Sequence, residues 1–177
     1  MSHHRIELQS QIEIGASAET VYGLIADSTR TGEWSPECIA ATWTDGEPGL
    51  VGSQFVGSNF ERNVETGKEW RWDMKCEVIE ADPPVAFAWS VLTEAWDRDT
   101  SVWRYTIEEV EGGVLLTHTY RMTRPPRGWQ PILDRHPRDR QHELVEQRRR
   151  RLDEGMRVTL DALRAHAERS VDSDVER

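Results

Sequence analysis

The stretch EWRWDMKCEVIEADPPVAFAWSV, residues 69–91, carries the clearest structural pattern in the chain. Over residues 70–78 the even positions are apolar or aromatic and the odd positions are charged, the period-two alternation of a half-buried β-strand. After a turn signal at 82–84 that contains two prolines, the odd positions become apolar. The stretch therefore predicts two paired strands, 69–81 and 85–92, with one aromatic face and one solvated face.

The same alternation continues on both sides of this hairpin. Further strands are predicted at 38–44, 52–61, 100–110 and 113–122. In the last of them one face carries Val114, Leu116, His118, Tyr120 and Met122. Short turn signals separate the segments: Asp45-Gly46, Thr66-Gly67 and Gly112-Gly113. Because connections of this length join neighbouring antiparallel strands, we expect an antiparallel meander.

A strand and two helical segments precede this meander. Residues 6–14, IELQSQIEI, alternate between largely apolar and polar side chains and predict a first strand. Ser17 is a suitable N-cap for the helix that follows, AETVYGLIAD at 18–27. A shorter helical turn is predicted over Thr29–Trp34, and it ends before Pro36 because proline does not continue a helix.

The end of the chain predicts one long helix over about 139–169. Its apolar side chains recur at three- and four-residue steps: Leu152, Met156, Leu160, Leu163 and Ala167. A helix of about thirty residues reaches roughly 45 Å, and the aromatic sheet face is the one large surface that could cover its stripe. The sequence thus predicts an α+β domain over 6–169, a curved antiparallel sheet of about seven strands wrapped around a C-terminal helix. Residues 1–5 and 170–177 are expected to be flexible ends.

Composition excludes several functions. The net charge of −10 disfavours binding to nucleic acid, which needs a basic surface. No apolar run is long enough to cross a bilayer, and the first ten residues lack the apolar core of a signal peptide, so a cytoplasmic location without membrane insertion is expected. The two cysteines are far apart and no metal-ligand spacing occurs, which predicts reduced thiols, no metal and no cofactor.

Five stretches resemble the START-like superfamily (SRPBCC), in particular its bacterial polyketide cyclase/dehydrase and lipid-transport branch. They are IEIGASAETVYGLIAD at 12–27, WSPE at 34–37, VGSQFVGSNFERN at 51–63, WRWDMKCEVIEADPPVAFAW at 70–89 and EGMRVTLDALRAHAE at 154–168. The resemblance implies the helix-grip fold, with a cavity between the sheet and the C-terminal helix. Since relatives include ligand carriers, aromatase/cyclases and co-chaperone domains, the fold does not by itself identify the function.

Residues on the predicted inward face are the candidates for binding a ligand in such a cavity: Asn59, Trp72, Met74, Phe87, Trp89, Trp103, Tyr105, His118 and Met156. Bulky aromatic side chains there suit either a packed core or a cavity for a flat apolar molecule. His118 and Tyr105 are the candidate catalytic residues, because each could move a proton beside a bound ligand. No carboxylate on the same face is placed to orient His118, and a lone histidine in such a position is more often a hydrogen-bonded core residue than a catalyst.

Two arginine-rich segments have no assigned role. Segment 124–138 is rich in proline and arginine, and a short turn of helix that packs through Trp129, Ile132 and Leu133 is predicted there. The run Arg148–Arg151 points to all sides of the long helix. Its members are expected to be solvated and paired with acidic residues of the same helix: Glu143, Glu146, Asp153 and Glu154.

Three functions fit these features. The first is binding of a small hydrophobic or aromatic ligand between sheet and helix. The second is a cyclase, aromatase or dehydratase that uses the same cavity to confine a reactive chain. The third is a co-chaperone-like interaction module with a closed interior. A homodimer is compatible with each of them.

Overall fold

The computed structural model describes residues 4–62, 67–92, 101–126 and 128–175, with side chains described up to Arg169. The strands are β1 Ile6–Ile14, β2 Cys38–Asp45, β3 Gln54–Arg62, β4 Glu69–Asp82, β5 Ala86–Val91, β6 Ser101–Val110 and β7 Gly113–Met122. The helices are α1 Ala18–Ile25, a 3-10 helix Ser28–Glu33, α2 Gln130–Asp134 and α3 Arg138–Val175. This is the predicted α+β architecture, in the predicted order.

All seven strands form one antiparallel sheet in the order β1-β7-β6-β5-β4-β3-β2. The first strand closes the meander by pairing with the last, so β1 and β2 are the two edges. The pairing places Trp89 opposite Trp103, and Tyr105 opposite His118. The parity read from the sequence therefore brings the aromatic residues of neighbouring strands side by side on one face.

Helix α3 lies across the concave face and packs mainly along β1, with further contacts to β7 and α1. Each residue of its predicted apolar stripe is buried: Leu152, Met156, Leu160, Leu163 and Ala167. The stripe contributes to two hydrophobic clusters. One contains Leu160 and Leu163 with Leu116, and the other contains Leu152 and Met156 with Tyr120. The helix is thus anchored over one half of the sheet, which leaves the inward side of the other half less covered.

Local signals fix most boundaries as predicted. The Ser17 hydroxyl accepts a hydrogen bond from the Thr20 N–H and caps α1. In segment 124–138, Leu133 is fully buried, whereas Ile132 is 47% exposed and does not pack as expected. Helix α3 continues to Val175, beyond the predicted end at 169. The predicted turn at Thr66-Gly67 includes Thr66, which lies outside the described residues.

The 3-10 helix packs against β2, at the edge of the sheet. Gly32 makes the closest approach, since a Cβ atom at this position would lie 2.2 Å from the carbonyl oxygen of Ile39. The next residues continue the contact: the Ser35 hydroxyl accepts hydrogen bonds from the backbone N–H groups of Glu37 and Cys38. The chain between α1 and β2 therefore follows the edge strand closely.

Candidate functional site

The space between the inward face of β3–β6 and helix α3, which we call the inner groove, is the candidate site. Several inward-facing side chains there are only half-buried: Asn59, Trp72, Met74, Trp89 and Trp103. By contrast, the inward residues of β7 beneath α3 are buried. Inward-facing yet solvent-accessible aromatic groups are the feature expected of a concave apolar binding site.

One side of the inner groove is a continuous set of rings from four strands, the aromatic wall: Phe55, Trp89, Trp103, Tyr105 and Tyr120. Trp89 lies at its centre, stacked on Trp103 with ring centroids 6.3 Å apart and planes at 15°. It also contacts Phe55 at 6.2 Å and Tyr105 at 5.9 Å. Trp103 continues the wall to Tyr120, 4.2 Å away. Phe55, Tyr105 and Tyr120 are buried, so Trp89 and Trp103 are the rings of the wall that retain accessible apolar surface for contact with another flat molecule.

His118 lies beside the aromatic wall, on β7, and is 4% exposed. Its ring is stacked on Tyr105, with centroids 4.0 Å apart and planes at 16°, and it lies 5.2 Å from Trp103. Burial lowers the pKa of His118 to about 3, so the imidazole is neutral at ordinary pH. Burial also raises the pKa of the Tyr105 hydroxyl above its usual value. Both predicted catalytic candidates are therefore held in their uncharged forms.

The ring nitrogens of His118 have no hydrogen-bond partner among the described residues. A neutral imidazole carries one N–H donor and one acceptor nitrogen, and buried groups of this kind are normally paired. The sequence placed His118 on the inward face, but its lack of partners could be found only from the folded structure.

A polar arrangement adjoins the aromatic wall at Tyr120. Its hydroxyl lies 3.2 Å from the Ser101 hydroxyl. Burial raises the pKa of Tyr120, and the nearby positive charge of Arg148 acts in the opposite direction. Arg148 is half-buried on α3.

The Arg148 guanidinium forms a bidentate ion pair with the Glu37 carboxylate, with N–O distances of 2.5 Å and 2.6 Å. Glu37 immediately precedes β2. Burial disfavours the charged guanidinium, but the hydrogen bonds and charge of Glu37 outweigh it, and the pKa of Arg148 lies above its usual value. Glu61, in β3, lies 4.0 Å from Arg148 and also pairs with Arg151. These four residues, the ion-pair cluster, connect α3 to the side of the sheet that it does not pack against.

The ion-pair cluster corrects the expectation that Arg148–Arg151 would pair within their own helix. Arg148 and Arg151 bind acidic residues of the sheet side instead, whereas Arg149 and Arg150 are exposed. A signal was present in the sequence. Arg148 lies three residues after Val145 and four before Leu152, both buried, so it belongs to the inward side of α3.

The structure separates the remaining predicted site residues. Phe87 and Met156 are 0% and 1% exposed, so they are part of the packed core. Asn59 lies on the inward side, but its Nδ2 donates to the backbone carbonyl oxygen of Gly57 at 3.1 Å, and that of Trp72 lies 3.5 Å away. The Asn59 amide nitrogen is therefore hydrogen-bonded to the backbone of the sheet. Trp72, Met74, Trp89 and Trp103 remain as half-buried inward side chains.

Other chemistry has little support in the described part of the chain. Both cysteines are free thiols, and burial raises the pKa of Cys38 to about 11 and that of Cys76 further, which keeps them protonated and unreactive. The described residues include no group of three or more His, Cys, Asp or Glu side chains placed to hold a metal ion. No helix in these ranges combines the length and apolar character needed to cross a membrane.

Comparison with known proteins agrees with this geometry. The chain matches the family described as polyketide cyclase/dehydrase and lipid transport over residues 5–168. The polyketide cyclase-like protein Cgl2372 of Corynebacterium glutamicum, solved by NMR, is 32% identical, with a TM-score of 0.65 and coverage of 96% of this chain and 95% of that one. A search of curated proteins finds no significant match.

Two more distant structures share the fold. The di-domain aromatase/cyclase StfQ of the steffimycin biosynthetic pathway is 12% identical with a TM-score of 0.71, and the match covers 96% of this chain but 53% of StfQ. Major latex-like protein 151 of Panax ginseng is 12% identical with a TM-score of 0.60, over 92% of this chain and 97% of that one.

Sheet, helix and inner groove together define a helix-grip protein, a fold associated with hydrophobic ligands. The chain belongs to the polyketide cyclase/dehydrase and lipid transport family, as the match over residues 5–168 and the similarity to the Corynebacterium protein show.

Proposed function

We propose that the protein binds a small apolar, aromatic molecule in the inner groove, flat against the aromatic wall. The observation that carries the proposal is that Trp89 and Trp103 stack together and face inward, yet are only half-buried. Indole rings in a closed core would be covered by neighbouring side chains, whereas these retain accessible surface. Covering that surface with a ligand contributes about 25 cal/mol per Å² before the costs of association.

Binding is favoured over catalysis because of the protonation states at the site. A general acid or base works best with a pKa near the working pH. The pKa of His118 is about 3 and that of Tyr105 is raised, so at neutral pH neither exchanges a proton readily. Cyclisation, aromatisation or dehydration in the groove is the second candidate, supported by the family description. It would depend on confinement of the substrate rather than on proton transfer by these residues.

A co-chaperone-like interaction module is less well supported. That function needs a contiguous apolar patch on the outside of the molecule. The large exposed apolar side chains of the described residues are spread over β2, β4, α2, α3 and two connecting segments: Ile39, Leu50, Val51, Trp70, Ile79, Val85, Ile132 and Val158. The inward position of the most accessible stacked rings favours a small ligand.

The proposal can be tested by calorimetric titration with naphthalene- and anthracene-based compounds, after mass spectrometry of any small molecule that copurifies. We expect saturable binding by the wild-type protein and about tenfold or greater weakening in the Trp103→Leu variant, because less apolar surface is buried. Val158→Ala is the control, since Val158 is 47% exposed on α3 and lies outside the aromatic wall. Equal loss in both variants, or no binding by a folded wild-type protein, would overturn the proposal.

A further inference from the structure

The inner groove becomes accessible to solvent toward one end, which we call the mouth. Along the inward row of β4 the exposure increases in one direction: Cys76 is 4% exposed, Trp72 is half-buried and Trp70 is 42% exposed. The neighbouring strand β3 shows the same gradient, from Phe55, which is 5% exposed, to the half-buried Asn59. The mouth is therefore where solvent meets the inward face of both strands.

The ion-pair cluster lies across this mouth. Glu61 is the partner of Trp70 in the pairing of β3 with β4. The backbone carbonyl oxygen of Glu37 accepts a hydrogen bond from the N–H of Phe60 at 2.9 Å, so Glu37 is held at the same end of β3. Arg148 extends from α3 to both carboxylates, at 2.5 Å from Glu37 and 4.0 Å from Glu61. Ion pairs thus join the helix to the sheet at the level of Trp70.

Packed side chains join α3 to the chain before β2 farther toward the C-terminus of the helix. The Trp34 side chain is 5% exposed, and its ring meets that of His166 edge-on, with centroids 5.8 Å apart. Pro36 Cγ lies 3.6 Å from the position of a Cβ atom at Gly155. Separating packed apolar groups exposes their surface to water, whereas charged side chains regain hydration when they part. The mouth is therefore the end at which helix and sheet separate most easily.

We propose that the ion-pair cluster is a gate at the mouth of the inner groove. The pair between Arg148 and Glu37 holds the mouth closed, separates when a ligand enters or leaves, and forms again afterwards. Because the pair is the same with and without ligand, it sets the rate of ligand exchange and not the affinity. The inference rests on the proposed binding function and adds to it the control of access to the same groove.

Stopped-flow fluorescence with 2-naphthol, which is uncharged at pH 7.5, tests the proposal because it measures association and dissociation separately. We expect Arg148→Met and Glu37→Gln to raise both rate constants about tenfold and to leave Kd within about twofold of the wild-type value. Arg148→Lys keeps the charge without the bidentate geometry, so it should give intermediate rates. Glu37→Gln preserves the size of the side chain and tests the pair even if Arg148→Met does not fold.

Arg104→Met is the matched control. Arg104 alternates along β6 with the inward-facing Trp103 and Tyr105, so it lies on the outer face of the sheet. There it forms an ion pair of the same bidentate kind with Glu80, at 2.6 Å and 2.9 Å. This variant should leave both rate constants unchanged. An equal rise in Arg104→Met would mean that removing any such pair loosens the domain, and would overturn the proposal.

The other outcomes are distinct. If the folded Arg148→Met and Glu37→Gln variants exchange 2-naphthol at the wild-type rates, the cluster is not a gate, while the proposed binding function stands. Faster dissociation alone, with weaker binding, would mean that the pair supports the bound ligand, and would also overturn the gate. If neither 2-naphthol nor the other naphthalene- and anthracene-based compounds bind the folded wild-type protein, the proposed function fails, and the control of exchange with it.

A measurement without ligand tests the gate independently of the probe. Acrylamide quenches tryptophan fluorescence on contact with the ring, so opening the mouth should increase the quenching of inward-facing tryptophans such as Trp72 and Trp103. We expect a larger quenching constant for Arg148→Met than for the wild-type protein and Arg104→Met. Equal quenching in the three proteins would overturn the proposal.

Discussion

Burying the His118 imidazole without hydrogen-bond partners costs free energy, and no described residue offsets that cost with a hydrogen bond. Each unpaired polar group removed from water costs about 1–3 kcal/mol, a large share of the stability of an ordinary domain. Such costs are concentrated at functional positions. Tyr120 shows the alternative on the same strand, since its buried hydroxyl lies within hydrogen-bond distance of Ser101. Among the described residues, therefore, the Tyr120 hydroxyl has a partner where the His118 imidazole has none.

Stability should depend on pH through His118. In the unfolded chain the imidazole takes up a proton near pH 6.5, whereas in the folded protein it does so only near pH 3, and burial is the cause. Between these values the unfolded state binds more protons, so the free energy of unfolding falls as the pH falls. We expect His118 to lower the free energy of unfolding by up to about 1.4 kcal/mol for each unit by which the pH is lowered in this range. Urea unfolding at pH 4.5, 5.5 and 7 would measure it.

The variant His118→Phe isolates this contribution, because the other titratable groups remain in both proteins. The difference in unfolding free energy between variant and wild type should grow as the pH is lowered through 6. A difference that stays constant with pH would mean that His118 titrates normally in the folded state.

Strand parity was sufficient to predict which residues face inward, but burial had to come from the structure. Parity placed both Trp103 and Phe87 on the inward face, yet only Trp103 retains accessible surface, because the covering helices are not evenly placed over the sheet. The pairing of Arg148 with Glu37 joins residues 111 positions apart, and no local pattern encodes such a contact. The sequence therefore predicted which side chains form the surface of the candidate site, but it did not predict the polar contacts around it.

At the scale of elements, two glycines with opposite surroundings test how tightly the strands and helices are packed. Gly23 lies exposed in α1, and an added Cβ atom would meet nothing within 4 Å. At Gly113, which begins β7, a Cβ atom would lie 2.0 Å from the carbonyl oxygen of Ile14 in β1. We expect Gly23→Ala to stabilise the protein by about 0.5–1 kcal/mol through helix propensity. Gly113→Ala should destabilise it by about 1–3 kcal/mol.

Chemical denaturation of both variants would measure these changes, and each variant serves as the control for the other. If Gly113→Ala leaves the free energy of unfolding unchanged, β1 and β7 can move apart at this position at low cost. A destabilising Gly23→Ala would contradict the exposed position of that residue in α1.

The ion pair between α3 and the beginning of β2 should contribute measurably to stability. The Arg148 and Glu37 side chains are 25% and 31% exposed and form two short hydrogen bonds, so their coupling should exceed the 0.2–1 kcal/mol typical of exposed pairs. A double-mutant cycle with Arg148→Met and Glu37→Gln should give about 1–2 kcal/mol. Glu61, 4.0 Å from Arg148, compensates in part when Glu37 is replaced.

Arg149→Met provides the control for this cycle, because it removes the same charge from an exposed position one residue away. It should change the unfolding free energy by no more than about 0.5 kcal/mol. A coupling energy below that of an exposed pair would mean that the contact does not hold the helix to the sheet.

Element boundaries could be predicted well wherever two local signals coincided. The strand 113–122 begins at the second of two glycines and alternates throughout, and β7 has the same bounds. The end of α3 was predicted too early because the apolar stripe stops at Ala167, whereas backbone hydrogen bonding continues through a polar sequence to Val175. Helix continuation without an apolar face leaves no periodic signal to detect.

At the scale of the whole molecule, a ligand in the inner groove should stabilise the folded state. At a free concentration of about one hundred times its Kd, a ligand that binds only the folded protein adds about 2.7 kcal/mol. For a domain of this size we expect an increase in Tm of roughly 5–10 °C. Differential scanning fluorimetry with 2-naphthol would detect it. An equal shift in wild-type protein and in Trp103→Leu would place the ligand elsewhere.

The architecture as a whole was predictable because few arrangements satisfy both apolar surfaces. One sheet face and one helix stripe carried most of the apolar residues, and each could be buried only against the other. The sequence pattern did not predict that α3 is displaced toward β1. That displacement arises from packing between side chains such as Leu152 and Ile6, distant in sequence, which share one hydrophobic cluster. The same displacement of α3 leaves Trp89 and Trp103 of the aromatic wall partly accessible.

The close approach of Gly32 to Ile39 has a consequence for self-association. The outer edge of β2 is one of the two places where the sheet could be extended by another chain. Because the 3-10 helix lies against this edge, with Gly32 on the Ile39 carbonyl, the first residues of β2 are shielded from an incoming strand. Growth of an intermolecular β-sheet, the first step toward amyloid-like aggregates, is therefore blocked where β2 begins.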